Sequence, residues 1–128
     1  MPFRFVGEPP KQSALVEWGE TLSIITNIER GRRGRNPRQY VEWMEEIGFE
    51  DVVERTFYWP TNPWPKDKHL KLIGVYVQEN LSRATKAVSF PMMSQYKGWS
   101  QERVDKFLVD VERDIFDPKL HAYTTWLV

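Results

Sequence analysis

The chain has no cysteine among its 128 residues. A disulfide framework, a thiolate zinc site and a cysteine nucleophile are therefore excluded. Histidine is almost as scarce, because His69 and His121 are the only two. Neither lies at metal-ligand spacing from another ligand, so the sequence predicts no metal site.

Long apolar runs and an excess of one charge are also missing. No stretch approaches the roughly 20 apolar residues that a helix needs to cross a bilayer, and the first residues lack the apolar centre of a signal peptide. The 18 basic and 18 acidic side chains balance, so no overall field attracts nucleic acid or a membrane surface. The arginine-rich segment 30–35 has no interleaved aromatic residues, and we interpret it as a solvated linker. A cytoplasmic protein is expected.

A glycine-rich cofactor turn is absent as well. None of the seven glycines falls in a G-x-G pattern between a strand and a helix. We therefore predict no bound cofactor of the kind that such a turn holds.

Four segments carry apolar residues at helical spacing. The first runs over 13–30, and the second from a cap at Asn36–Pro37 to Ile47, ending at Gly48. The third is a long helix that we expect to fray near 89–91, and the fourth begins at the N-cap Ser100. The predicted buried stripes are Leu15, Trp18, Leu22 and Ile25; Tyr40, Met44 and Ile47 with Val41; Leu70, Ile73, Val77 and Leu81; and Val104, Phe107, Leu108, Val111 and Ile115.

Two further segments, 51–59 and 120–128, are rich in β-branched and aromatic residues, which favours strands. The length suits one domain over 1–128. The predicted fold class is therefore α+β, with about four helices and a two-stranded antiparallel ribbon. Such a ribbon is marginal alone and needs a further layer.

Four separated motifs point to a known family. They are Tyr40-Val-Glu-Trp-Met-Glu-Glu-Ile-Gly-Phe-Glu-Asp-Val53, Asn62-Pro-Trp-Pro-Lys-Asp67, Gly98-Trp-Ser100 and His121-Ala-Tyr123. Their order and spacing resemble the C-terminal, substrate-side half of the fungal LaeA-like class I methyltransferases, which depend on S-adenosylmethionine. The glycine-rich turn that holds this donor has no counterpart here.

The resemblance implies that the two predicted strands belong at the end of a larger sheet that the chain lacks. An exposed strand edge and uncovered helix faces would result, and self-association would cover them. We therefore expect a homodimer. A partner chain that supplies the other strands, such as a full-length methyltransferase, is the alternative.

Candidate site residues are few. For acid or base chemistry they are His121, Tyr123 and Glu79, although a locally hydrogen-bonded histidine and a solvated glutamate are the plainer interpretations. His69 has polar surroundings and is expected at the surface. The aromatic residues Trp59, Trp64, Tyr76, Trp99 and Tyr58 are candidates for binding a small organic ligand, although core packing is the common role of aromatic residues.

Three functions are compatible with this pattern. The first is a cofactor-independent cyclase or isomerase of fungal secondary metabolism that shapes a natural-product intermediate by positioning and electrostatics. The second is a fragment or subunit of a methyltransferase. The third is a non-catalytic module that pairs with a full-length relative.

Overall fold

The computed structural model describes residues 3–29 and 39–128. The elements, in chain order, are β1 (Arg4–Phe5), α1 (Ala14–Glu29), α2 (Tyr40–Glu46), β2 (Thr56–Pro60), α3 (Lys68–Lys97), α4 (Gln101–Phe116) and β3 (Ala122–Leu127). The predicted α+β class and its four helices are confirmed. The basic segment 30–35 and the predicted cap at Asn36–Pro37 lie outside the described residues.

The expected two-stranded ribbon is wrong in its strand count. The described strands form one antiparallel sheet in the order β1-β3-β2. Arg4 lies opposite Tyr123, and Tyr123 lies opposite Pro60, so β3 has a neighbour on each side. No sequence pattern indicates β1, because two residues are too short to show alternation. The third strand supplies support that a lone hairpin would lack.

The core lies where α1, α3 and α4 meet under one end of the sheet. Its buried side chains form a single cluster: Phe3, Leu15, Trp18, Met93, Val104, Val111 and Ile115. Leu22, Phe107 and Leu108 pack against that cluster and are partly buried. The predicted stripes of α1 and α4 are therefore confirmed, since each faces this core.

The capping predicted for α4 is also confirmed. Ser100 Oγ accepts a hydrogen bond from the backbone N–H of Arg103, and Trp99 lies partly buried against the core cluster. Asp114 on α4 in turn serves α1, because its carboxylate accepts hydrogen bonds from Ser13 Oγ at 2.8 Å and from Leu15 N at 3.2 Å. The start of α1 is thus fixed by a side chain about a hundred residues away.

The predicted fraying of α3 near 89–91 is wrong, since the helix continues through Pro91 to Lys97 and closes at Gly98, whose φ is 65°. Proline in a helix interior removes a backbone hydrogen bond and is unfavourable. Packing on both sides offsets that loss here. Trp18 Nε1 donates to the buried Ser89 Oγ at 2.8 Å, and Met93 is buried in the core.

The predicted burial of α2 is wrong. Tyr40, Met44 and Ile47 are exposed, and no described residue of the helix is buried. Gly48 does close the helix in the left-handed region, with φ at 101°, as its position predicts. The periodicity of α2 is real, but no described element covers its apolar stripe.

The first predicted strand is displaced in the structure. Asp51 has a positive φ of 54°, and regular pairing begins at Thr56 and includes Pro60. The last strand is close to its prediction, at Ala122–Leu127 within 120–128.

Candidate functional site

The loop from Thr61 to Pro65 is held rigidly against the end of α4. The Asn62 side chain is fully buried, and its Nδ2 donates to the carbonyls of Asp117 at 2.9 Å and Leu120 at 3.1 Å. Its Oδ1 accepts from Trp64 N at 3.1 Å. Because every polar atom of this amide is used, the loop conformation is specified by one side chain.

A close approach of α3 completes this anchoring. A Cβ added to Gly74 would lie 2.3 Å from the carbonyl oxygen of Asn62, which is inside van der Waals contact. Only glycine lets the helix backbone come this near to the loop. Gly74 therefore positions the loop between α3 and β3.

The anchored loop orients the indole of Trp64. Its Nε1 donates to the carbonyl of Ala122 at 2.9 Å, and its ring stacks on the imidazole of His121 with centroids 4.8 Å apart and an interplanar angle of 23°. His121 itself is exposed. The motifs Asn62-Pro-Trp-Pro and His121-Ala-Tyr123, which are far apart in sequence, meet at this stack.

A groove of about 250 Å³ opens beside Trp64. We call it the aromatic groove, and its lining residues are Val6, Tyr58, Pro60, Trp64, Pro65, Leu70 and Tyr123. Tyr58 and Tyr123 meet edge to face with centroids 5.8 Å apart. None of the lining side chains carries a charge at neutral pH. The groove is thus an apolar cleft with aromatic walls, of the kind that suits small organic ligands.

Of the eight predicted site residues, the structure brings four together. Tyr58, Trp64 and Tyr123 line the aromatic groove, and His121 stacks on Trp64. Val6, just after β1, and Leu70, on α3, also line the groove but were not among the predicted site residues. No local sequence pattern connects them to the motifs.

The other four predicted residues lie elsewhere. Trp59 is on the opposite sheet face from Tyr58 and contacts Trp126, with centroids 4.8 Å apart. Tyr76 is exposed on α3. Trp99 lies beneath the cation of Arg103, 4.2 Å from the ring centroid.

Glu79 is also remote from the groove. It is exposed and forms an ion pair with Arg83 at 2.7 Å, which fits the solvated interpretation. His69, at the start of α3, is exposed as expected.

Charged side chains lie mainly on the helical surface. Glu112 on α4 accepts hydrogen bonds from Lys86 Nζ at 2.7 Å and from Ser82 Oγ at 2.9 Å. These two bonds, that of Lys86 above all, lower the pKa of the Glu112 carboxyl.

In the part of the chain that the structure describes, no three acidic or histidine side chains are grouped to hold a metal ion. No described helix is long and apolar enough to span a bilayer.

A larger groove of about 640 Å³ between α1 and α4 is a weaker candidate. Its walls mix Lys11 and Arg113 with acidic side chains, and the Asp114 carboxylate in it already caps α1. Of its charged side chains, Asp114 thus holds the start of α1, and Arg113 pairs with Asp110 on its own helix.

The far end of the sheet and α2 present exposed apolar side chains together. We call this the open surface, and its residues are Tyr40, Trp43, Met44, Ile47, Val53, Phe57, Trp59, Trp126 and Val128. Tyr40, Met44, Val53 and Val128 line a cleft of about 210 Å³. Phe57 lies opposite Trp126 on the same sheet face as the buried Ala122. One face of the sheet is therefore covered at one end and bare at the other.

Comparison with known proteins gives several relatives. The chain is 29% identical over 117 residues to the probable methyltransferase tdiE of Emericella nidulans, which covers 91% of this chain and 37% of the relative. It is 26% identical over 110 residues to the secondary metabolism regulator laeA of Monascus pilosus, covering 86% and 30%. It is 23% identical over 111 residues to the protein-methionine methyltransferase laeA of Emericella nidulans, covering 87% and 30%.

The resemblance to fungal LaeA-like methyltransferases is thus confirmed over most of this chain. The chain spans about a third of the length of the curated relatives that it matches. No protein-family model and no solved structure matches the chain.

Proposed function

We propose that this chain forms the substrate side of a methyltransferase of secondary metabolism, and that a separate portion of polypeptide supplies the S-adenosylmethionine site. The observation that carries this proposal is the asymmetric match: similarity to methyltransferases extends over about nine tenths of the chain but only about a third of tdiE. The chain corresponds to part of such an enzyme, and that part contains a formed groove.

In this proposal the aromatic groove holds the methyl acceptor, a small natural-product intermediate. Tyr58, Trp64 and Tyr123 would contact it, and the buried Asn62 would keep Trp64 in place. His121 acts through its stack on Trp64 and is a positioning residue. Catalysis in a methyl transfer of this kind rests mainly on bringing donor and acceptor together in the correct orientation.

The open surface is where the donor-binding portion would dock. Exposed apolar patches of this kind mark interaction sites, and this one continues a sheet face that the helices already cover at its other end. In the isolated chain a second copy is the available cover, so we propose a homodimer for the chain alone. In its full setting the partner is the donor portion, in the same polypeptide or in a full-length methyltransferase.

A second candidate function is the cofactor-independent cyclase or isomerase. One observation favours it: the groove has two tyrosines, Tyr58 and Tyr123, among its lining residues. Such an enzyme would need no donor. The similarity to methyltransferases supports the first proposal better.

Calorimetric titration of the isolated chain with S-adenosylmethionine tests whether the donor site lies outside this chain. The proposal predicts no binding at micromolar donor, because the donor site belongs to the other portion. Micromolar binding by this chain alone would contradict the proposal that another portion supplies the donor site. Conversion of a substrate by the chain without any donor would favour the cyclase or isomerase instead.

A further inference from the structure

We infer that the aromatic groove selects a planar aromatic molecule that carries an oxygen substituent and no anionic group. This inference rests on the proposed role of the groove as the acceptor site and names the chemical class of the acceptor. It follows from three properties of the groove: its charge, the shape of its walls and its unpaired hydroxyls.

Selection against anions follows from the lining. All seven side chains that form the groove are uncharged, and four of them are aliphatic or proline: Val6, Pro60, Pro65 and Leu70. Placing an anion against such a surface removes water from it without providing a counter-charge. The charged side chains next in sequence to lining residues, Lys66 and Lys71, are exposed. A carboxylate ligand is therefore disfavoured.

Planarity follows from the walls. The Trp64 ring is fixed by its bond to the Ala122 carbonyl and by its stack on His121, and prolines on both sides of the groove hold the backbone. The rings of Tyr58 and Tyr123 stand edge to face. Aromatic rings in offset or edge contact prefer another ring to a saturated group of the same size. Because Trp64 is already held in place, a flat ligand that contacts it binds with little further ordering cost for this wall.

The oxygen substituent follows from two hydroxyls. Neither Tyr58 nor Tyr123 donates or accepts a side-chain hydrogen bond with another described residue. Each phenol can both donate and accept, so a ligand hydroxyl or carbonyl that reaches either one has a hydrogen-bond partner. The indole N–H of Trp64 is not available to a ligand, because the Ala122 carbonyl accepts it.

Binding to the isolated chain can be measured with 2-naphthol as the probe, using the indole N–H signals of the six tryptophans in NMR spectra. We expect the Trp64 signal to move on titration while those of Trp43 and Trp126 stay unchanged. We expect 2-naphthoate, which is ionised, to bind at least about tenfold more weakly. Naphthalene, which lacks the oxygen, should bind about threefold to tenfold more weakly, the usual range for one hydrogen bond.

Matched variants make the assignment specific. Tyr58→Phe and Tyr123→Phe keep the ring and should each weaken 2-naphthol, but not naphthalene, by up to about tenfold. Tyr76→Phe, an exposed tyrosine on α3, should change neither. Trp64→Leu should abolish binding, whereas Trp43→Leu on the open surface should not.

Three results would overturn the inference. They are movement of the Trp43 and Trp126 signals in place of Trp64, equal binding of the ionised probe, and preferential binding of N-acetylmethionine amide, a neutral thioether that also suits aromatic walls. None of these measurements uses the methyl donor. Probe binding as expected without methyl transfer in the complete enzyme would refute the proposed function alone, and transfer without probe selectivity would refute the substrate class alone.

Discussion

Apolar stripes of similar spacing are buried at one end of this molecule and exposed at the other. At the helical end, the stripes of α1 and α4 are buried against one another and against α3. At the sheet end, α2 carries a stripe of the same spacing that is exposed, beside bare aromatic residues of β2 and β3. Periodicity decides that a helix has an apolar face; only a neighbouring element decides whether that face is buried. Among the described residues, the helical end is therefore covered and the sheet end is not.

Substitutions at two isoleucines, one at each end, compare how much burial at the two ends contributes to stability. Ile115 is completely buried, whereas Ile47 is 74% exposed. We expect Ile115→Ala to lower the free energy of unfolding by about 2–5 kcal/mol, because it leaves a cavity. Ile47→Ala should change it by less than about 0.5 kcal/mol. Urea unfolding measures both. Equal costs would show that α2 is packed in the isolated chain and that the contrast is false.

The junction between the two ends depends on Gly74. In most helices Gly→Ala is stabilising by about 0.5–1 kcal/mol, because alanine favours the helix. Here the added methyl group would overlap the Asn62 carbonyl, so we expect Gly74→Ala to destabilise by about 1–3 kcal/mol. Thermal unfolding gives the sign. A more stable variant would mean that the loop moves aside freely and is not a fixed wall of the groove.

A smaller effect within the helical end comes from the cap of α1. Asp114→Ala removes acceptors for Ser13 Oγ and Leu15 N and should cost about 1 kcal/mol. Asp110→Ala, which breaks an exposed pair with Arg113, is the control and should cost less than about 0.5 kcal/mol. Chemical denaturation of the two variants compares them. If both cost the same, Asp114 contributes only surface charge.

The smallest expected effect is the pH dependence of Glu112. Its pKa is lowered in the folded chain from an ordinary value of 4.5, so the unfolded chain takes up the proton first on acidification. The stabilisation is complete above that ordinary pKa and is lost as pH falls through the lowered one. Because the pair with Lys86 is largely exposed, the loss should be under about 1 kcal/mol. Glu112→Gln should remove this part of the pH dependence, and an unchanged acid limb would contradict the assignment.

The contrast between the ends also explains which features could be predicted from sequence. The helices α1 and α4 were predictable because periodic stripes and local caps such as Ser100 agree with tertiary packing. The exposure of α2 was not, because burial of its stripe depends on a neighbouring element, and no described element covers it. β1 was missed because its two residues are recruited by β3 across more than a hundred positions. The passage of α3 through Pro91 reflects tertiary contacts of Ser89 and Met93, which local propensity does not include.

The candidate site was partly predictable for the same reason. Trp64, His121 and Tyr123 belong to motifs of the family that the chain resembles, and the structure brings them together. Tyr58 and Trp59 are neighbours in sequence but face opposite sides of the sheet, since successive strand residues alternate. Val6 and Leu70 reach the groove only through long-range folding.

The central claim is that the open surface is an interaction surface, which a second copy covers when the chain is isolated. Light scattering on the isolated chain over a range of concentrations tests it, with two variants matched for exposure: Val53→Asp at 68% on the open surface and Val109→Asp at 67% on α4. The account predicts that the wild-type chain and Val109→Asp associate as dimers, whereas Val53→Asp remains monomeric. A monomeric wild-type chain at high concentration, or a dimer that Val53→Asp leaves intact, would contradict it.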